Sequence, residues 1–336
     1  MLDPRLALRD SHIQDQDDMC IWIHPDPSQS LIITSDKDAY EIFVYDLSGK
    51  TQQSISVPGK PSNIDVRYNF PLSGEPTDIV AYVDRDNNDI VIYRVQTDTR
   101  KLSLVSRFDT GKWTREVYGF CLYLSPFSGK YYAFASDKSS RLRQWELTDN
   151  GEGGIEGIEK RNWLNGSSNE TEGLVADDET GKLYAANEED GVYVYDADPL
   201  DKNPAGELLF ATGTQGLTPD IEGIAIYYAA DGEGYILVSN QGSDNFKVFE
   251  RRPPHRLVTT FQVRGVEETD GIDVTNVNLG AAFPQGIFLL HNNENEKKEV
   301  LVCDFADLEL KTDTEYWNPR ALSRRPLKIT PSSRTP

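Results

Sequence analysis

Two segments about fifty residues apart place a carboxylate directly before a glycine and an apolar run: Glu172 in TEGLVAD and Glu222 in IEGIAIYY. The same polar–Gly–apolar entry recurs at Tyr118 in VYGFCLY and at Asp270 in TDGIDV. Looser copies hold Asp17 and Asp18 in DDMCIWIH, and Ile64 in SNIDVRY. Asp220, Glu188, Glu189, Glu267 and Glu268 lie near these entries in the chain. Carboxylates brought together raise one another's pKa and repel, so a converging set needs a counter-charge. An all-oxygen donor set suits a hard cation, and Ca²⁺ accepts six to eight such ligands in flexible geometry. The histidines, His12, His24, His255 and His291, are scattered without ligand spacing, which argues against zinc. Any one of these acids is equally at home capping a turn. Their shared position in a repeat is what points to a metal.

A second group shares a different phase. Lys37 in SDKDAY, Arg85 in VDRDNN and Lys138 in SDKSSR each follow a strand-like run and an acid. Glu188 in AANEED and Gln241 in SNQGS occupy the matching places later on. Three cations beside a ring of acids suit an oxyanion that meets metal on one side and Lys or Arg on the other.

The elements that must position these residues are short alternating runs such as SLIITSD, EIFVYDL, DIVIYRV, GVYVYDA and GYILVSN, separated by Gly, Asn, Asp and Pro. Helix signals are scarce. An aromatic late in a strand recurs at Tyr45, Tyr93, Trp145, Tyr195, Phe249 and Phe305, about fifty residues apart. Six copies of each marker make six units of roughly four strands. This predicts an all-β fold, a six-bladed β-propeller with four-stranded antiparallel blades around a central channel. The first strand of each blade lines the channel, so the entry residues converge at one end of it. The glycine after each acid is expected to let the backbone turn tightly. One propeller domain over residues 1–310 is expected, followed by a mobile tail rich in Pro, Ser and Arg over 311–336.

The chain has 336 residues and a formal net charge of −21 at pH 7. That balance argues against a nucleic-acid partner, because phosphate backbones need a basic footprint. No stretch approaches 18 consecutive apolar residues, so no spanning helix and no membrane partner is expected. The opening MLDPRLALRDSHIQDQDD has no apolar run of signal-peptide length. Cys20, Cys121 and Cys303 are far apart and odd in number, with no disulfide framework. A monomer acting on a small molecule is the expectation.

DDMCIWIHPDPSQSLIITSDK, SNIDVRYNFPLSG, EVYGFCLY, GKYYAFASDK, ETEGLVADDETGKLYAANEE, LTPDIEGIAIYYAADGEGYILVSNQG and TDGIDV follow one another from about residue 17 to about 290. In this order they resemble the β-propeller phytases, also called alkaline phytases. The resemblance implies a six-bladed propeller that hydrolyses phosphomonoesters of myo-inositol hexakisphosphate (phytate) and needs several Ca²⁺ ions. It implies Asp17, Glu172, Asp220, Glu222 and Asp270 as metal ligands, with Glu188 another acid of the cleft. It implies Lys37, Arg85, Tyr118 and Lys138 as phosphate-gripping residues, and Gln241 as a polar substrate contact. Lys37, Arg85, Tyr118, Lys138, Glu172 and Glu188 then form the catalytic set. Bound cations would invert the local sign so that an acidic protein can hold a polyanion. The expected reaction is attack of metal-bound water on phosphorus, with calcium-bound phytate as substrate. Family members are usually exported, so an extracellular or periplasmic setting is implied.

The chain also departs from the family. DDPA reads DDMC at Asp17–Cys20, Asp38 stands where a second basic residue is usual, and the loop before Asp270 is short. Glu267 and Glu268 are the acids available in that loop. These departures frame an alternative, a weakened propeller that binds calcium and phosphorylated ligands without efficient turnover.

Overall fold

A computed structural model describes residues 1–202 and 204–311. Apart from Lys311, the expected tail lies outside the described residues. Among the described residues there is no α-helix, only strands and short 3₁₀ turns.

Six four-stranded antiparallel sheets follow in chain order. Blade I holds Gln16–Trp22, Leu31–Asp36, Glu41–Asp46 and Thr51–Ser56. Blade II holds Pro61–Leu72, Glu75–Asp84, Asp89–Gln96 and Lys101–Asp109, and blade III holds Val117–Leu124, Tyr131–Asp137, Arg141–Asp149 and Ile155–Leu164. Blade IV holds Thr171–Asp177, Lys182–Asn187, Gly191–Asp196 and Glu207–Ala211, and blade V holds Ile221–Tyr228, Gly234–Asn240, Asn245–Glu250 and Leu257–Phe261. Blade VI takes Ile272–Val274, Ile287–Asn292 and Glu299–Asp304 from the C-terminal end. Its fourth strand is Leu6–Ala7, which pairs antiparallel with Val302 and Leu301. The N-terminus thus closes the ring by completing the last blade.

Burial explains the strand patterns. The first two strands of blade I are buried throughout, whereas its outer strand is half-buried to exposed and has no fully buried residue. Strands covered on both faces lose the in–out alternation and read as continuous apolar runs. Those faces pack between blades: Trp22, Val44 and Tyr45 of blade I share a cluster with Tyr82 and Tyr93 of blade II. Blade VI joins this cluster through Ile287 and Val302, and the other four pairs of neighbours each have their own, for example Phe134, Trp163 and Leu174 between blades III and IV. Five of the aromatic repeat markers lie on third strands. Phe305 falls just past its strand, in the 3₁₀ turn Phe305–Leu308 that Asp304 caps.

Candidate functional site at the channel mouth

Five of the six inner strands begin with a break in register. The breaks fall at Gln16/Asp18, Pro61/Ile64, Val117/Phe120, Thr171/Leu174 and Ile221/Ile224. A bulge re-aims the side chains it carries, and these bulges carry Asp17, Tyr118, Glu172 and Glu222. Asp270 precedes the sixth inner strand.

The glycine beside each entry residue has a role that differs from expectation. None of Gly119, Gly173, Gly223 and Gly271 has a positive φ, so no tight turn requires them. They are needed because the neighbouring blade passes so close. A Cβ on Gly119 or Gly173 would sit 2.1 Å from the carbonyl oxygen of Glu172 or Glu222. On Gly223 it would sit 2.5 Å from that of Asp270, and on Gly271 2.7 Å from that of Asp17. Each glycine lets one entry residue pack against the next, and the contacts draw the ring shut. Gly223 and Gly271 also donate N–H bonds to the Asp270 and Asp17 carbonyls at 3.0 and 3.2 Å.

The second group of residues is placed by another repeated device. Every second strand ends in a fully buried Asp or Asn: Asp36, Asp84, Asp137, Asn187, Asn240 and Asn292. Their side-chain oxygens accept loop N–H groups, as Asp36 does from Gln14, Asp15 and Ala39, and Asn187 from Asp190. The next residue, held by the clamp, is Lys37, Arg85, Lys138, Glu188, Gln241 or Asn293. The acid that precedes each cation in sequence is therefore structural, and the cation is what the loop presents.

These two devices bring the expected residues together. Lys37 Nζ lies 2.6 Å from Asp17 Oδ1 and 3.5 Å from Asp270 Oδ2. Gln241 donates to Asp270 Oδ1 at 2.7 Å. Arg85 and Lys138 stand over the Tyr118 ring, at 5.0 and 4.2 Å from its centroid. Tyr118 and Glu222 both reach Glu172. Oxygens of Glu188, Asp220 and Glu222 lie within 4.8 Å of one another, a spacing that one cation can bridge. Asp220 holds a left-handed φ of 79°, a costly conformation of the kind that clusters at ligand sites. Asp18 turns the other way, into the channel, where its Oδ2 accepts the Ile64 N–H at 2.9 Å. Glu267 and Glu268 are exposed, and Glu268 accepts from Asn293 at 2.6 Å.

The electrostatics show a set of acids short of positive charge. Burial, then Asp17 and Asp270, pushes Glu172 up to about 7. Burial, then Glu170 and Glu172, pushes Glu188 up to about 8. Burial and Glu172 push Glu222 well above the usual range. Asp270 and Asp220 are raised, also chiefly by burial. For Asp17, burial is outweighed by the Lys37 ammonium, which lowers its pKa. Asp17 Oδ2, Glu172 Oε1, Glu188 Oε1 and Glu222 Oε2 are buried without a hydrogen-bond partner. Buried polar atoms are normally satisfied, and the acidic cluster of Glu188, Asp220 and Glu222 could hold a cation. The all-oxygen set fits calcium.

Four further residues belong to the site and were not anticipated. Asp15 Oδ2 is 3.5 Å from Lys37 Nζ and 2.9 Å from Lys298 Nζ. Glu116 pairs with Arg85 at 2.5 Å, and Glu170 with Lys138 at 2.7 Å. Each of these acids stands two residues before an entry residue. His291 Nδ1 lies 3.3 Å from Asp270 Oδ2, and its Nε2 3.6 Å from Asp15 Oδ1. Asp38 lies 3.4 Å from Lys60 and 3.8 Å from Lys298.

Solved propellers share the fold alone. A luciferin-regenerating enzyme aligns over 93% of this chain and 97% of its own, with a TM-score of 0.57 at 13% identity. The calcium-binding protein regucalcin from Agrobacterium tumefaciens aligns over 94% and 99%, with a TM-score of 0.57 at 10% identity. The 3-phytase of Bacillus subtilis is 39% identical over 290 residues, covering 83% of this chain and 75% of that protein. The sequence profile of the Phytase family matches residues 8–307. The chain belongs to the phytase family, as one of its β-propeller members.

Proposed function

We propose that the protein is a calcium-dependent phytase that removes phosphate from myo-inositol hexakisphosphate, taken up as its calcium complex. The observation that carries this reading is the set of four buried, unpartnered carboxylate oxygens beside three cationic side chains at one channel mouth. Asp17, Glu172, Asp220, Glu222 and Asp270, with Glu188, would hold the metal ions. Bound calcium would supply the charge that attracts a polyanion and polarises the attacking water.

The chain's own residues do the rest. Arg85 offers a planar fork matched to two phosphate oxygens, and Lys37 and Lys138 offer point charges. The Tyr118 ring carries Arg85 and Lys138 on its face, a cation–π platform that fixes where they point. Glu116 and Glu170 hold those cations until a phosphate competes for them. Gln241 orients Asp270. These groups place positive charge where phosphoryl oxygens gain negative charge in the transition state.

The test is phosphate release from phytate across a calcium titration. Release that rises with calcium, falls at excess calcium and vanishes with EDTA supports the reading. Calorimetric phytate binding with no phosphate released at any calcium level overturns it in favour of a binding propeller.

A further inference from the structure

Lys37 is the site residue whose partners conflict with its proposed role. That role asks its ammonium to grip phosphate while Asp17 and Asp270 hold metal. Nζ instead sits among three carboxylates, 2.6 Å from Asp17 and 3.5 Å from both Asp15 and Asp270. An ammonium has three N–H donors, and three acids surround this one. Only 21% of the side chain is exposed. Arg85 and Lys138 differ, because their partners Glu116 and Glu170 are 39% and 32% exposed and lie outside the metal-holding set.

Asp15 explains how Lys37 can rest there and still leave. It is 4% exposed, and its backbone N–H is clamped by Asp36 at 2.9 Å. Lys298 pairs with it at 2.9 Å, so Asp15 keeps a counter-ion when Lys37 moves away. Among the described residues Asp17 has no ion pair but Lys37 and its Oδ2 has no hydrogen-bond partner, with His291 and Arg85 acting on it only from farther off. Removing Lys37 therefore leaves Asp17 without its close counter-ion and Asp270 with His291 and Gln241 alone, a deficit that a bound cation would fill.

We propose that Lys37 is a tethered counter-cation. It neutralises Asp17 and Asp270 while they carry no metal, with Asp15 as its resting partner, and it is exchanged for calcium. Its ammonium turns toward the mouth only in the loaded protein. Metal and phosphate binding are then coupled through one side chain, and the coupling is reciprocal: a phosphate that holds Lys37 outward tightens calcium binding. The inference rests on the proposed calcium dependence.

Reductive methylation of the full chain, read at single lysines by peptide mass spectrometry, tests it, with calorimetry following calcium on the same sample. Lys37 is expected to label slowly in EDTA and about tenfold faster with calcium, which corresponds to about 1.4 kcal/mol of lost pairing. Exposed Lys112 should label equally in both. Inositol hexakissulfate, an unhydrolysed polyanion of similar shape, should slow Lys37 again in the calcium-loaded sample. Asp15→Asn should speed its labelling in EDTA. Calcium binding with equal Lys37 labelling in both states overturns the exchange alone. Absence of calcium binding by calorimetry overturns the calcium dependence and the exchange together.

Discussion

The channel holds two sets of carboxylates, and they are satisfied in opposite ways. Inside it, Asp18, Asp65, Asp178 and Asp273 each accept a backbone N–H from a neighbouring inner strand. The donors are Ile64 at 2.9 Å, Leu122 at 2.8 Å, Leu124 at 3.1 Å and Ile21 at 3.0 Å. These bonds staple blades I to II, II to III, III to IV and VI to I. Arg67 adds the charge, 2.9 Å from Asp65 and 2.8 Å from Asp178. At the mouth, Asp17, Glu172, Glu188 and Glu222 each have a buried oxygen without a hydrogen-bond partner among the described residues. The cavity of about 250 Å³ lies among the satisfied set. Neither the size of a cavity nor a count of acids therefore locates the chemistry. Unmet oxygens do.

Substitutions that remove one member of each set should separate activity from stability. Glu172→Gln at the mouth is expected to lower phosphate release by about 10²–10³, the scale of losing one transition-state contact. Its urea midpoint without metal should not fall, because a repelled buried charge has gone. Arg67→Met inside the channel is expected to cost about 3–5 kcal/mol in urea denaturation, since Asp65 and Asp178 are left as buried charges. Calcium stoichiometry by calorimetry should survive that change. Loss of calcium binding in the Arg67 variant would mean that the two sets act as one. Gly173→Ala tests the frame that holds them apart. Its Cβ would meet a backbone oxygen at 2.1 Å, so a cost of about 1–3 kcal/mol is expected, with weaker calcium binding as Glu222 is pushed aside.

Much of this was legible in the sequence because a propeller converts phase into position. A residue at one point of a fifty-residue repeat lands on one ring, so Glu172, Glu222 and Asp270 could be placed together without any contact being known. The same logic placed Lys37, Arg85 and Lys138. The acid–x–entry spacing of Asp15, Glu116 and Glu170 is equally present, but an acid in a loop carries no sign of its partner, and only the fold sets these three beside Lys37, Arg85 and Lys138. Arg67 was the one cation in an inner-strand run, SNIDVRY, a signal of a buried ion pair that periodicity does not register. Closure by Leu6–Ala7 was out of reach, since two residues carry no pattern. The glycines were misread because a backbone approach from the next blade leaves no local trace: φ is ordinary, and only the neighbour forbids a side chain. His291 looked scattered for a related reason, its partner Asp15 lying at the other end of the chain.

The pH response sharpens the same comparison with the smallest effect. Glu172 and Glu188 ordinarily titrate near 4.5, and in the metal-free fold they are raised to about 7 and about 8. Between those limits the folded form binds more protons than the unfolded chain, so stability falls as pH rises. Its full contribution is present below pH 4.5 and is gone above about 8. Asp273 inside the channel, raised by burial to about 7 from 3.8, acts in the same direction. Calcium distinguishes the two. Bound at the mouth, it favours the ionised form of Glu172 and Glu188 and cancels their share of the slope, while Asp273 keeps its own. Melting curves from pH 5 to 8 should therefore fall by a few degrees in EDTA and fall less steeply with calcium. Asp273→Asn should flatten the slope that remains with calcium and leave most of the slope in EDTA. Equal slopes with and without calcium would place the titrating acids in the channel interior rather than at its mouth.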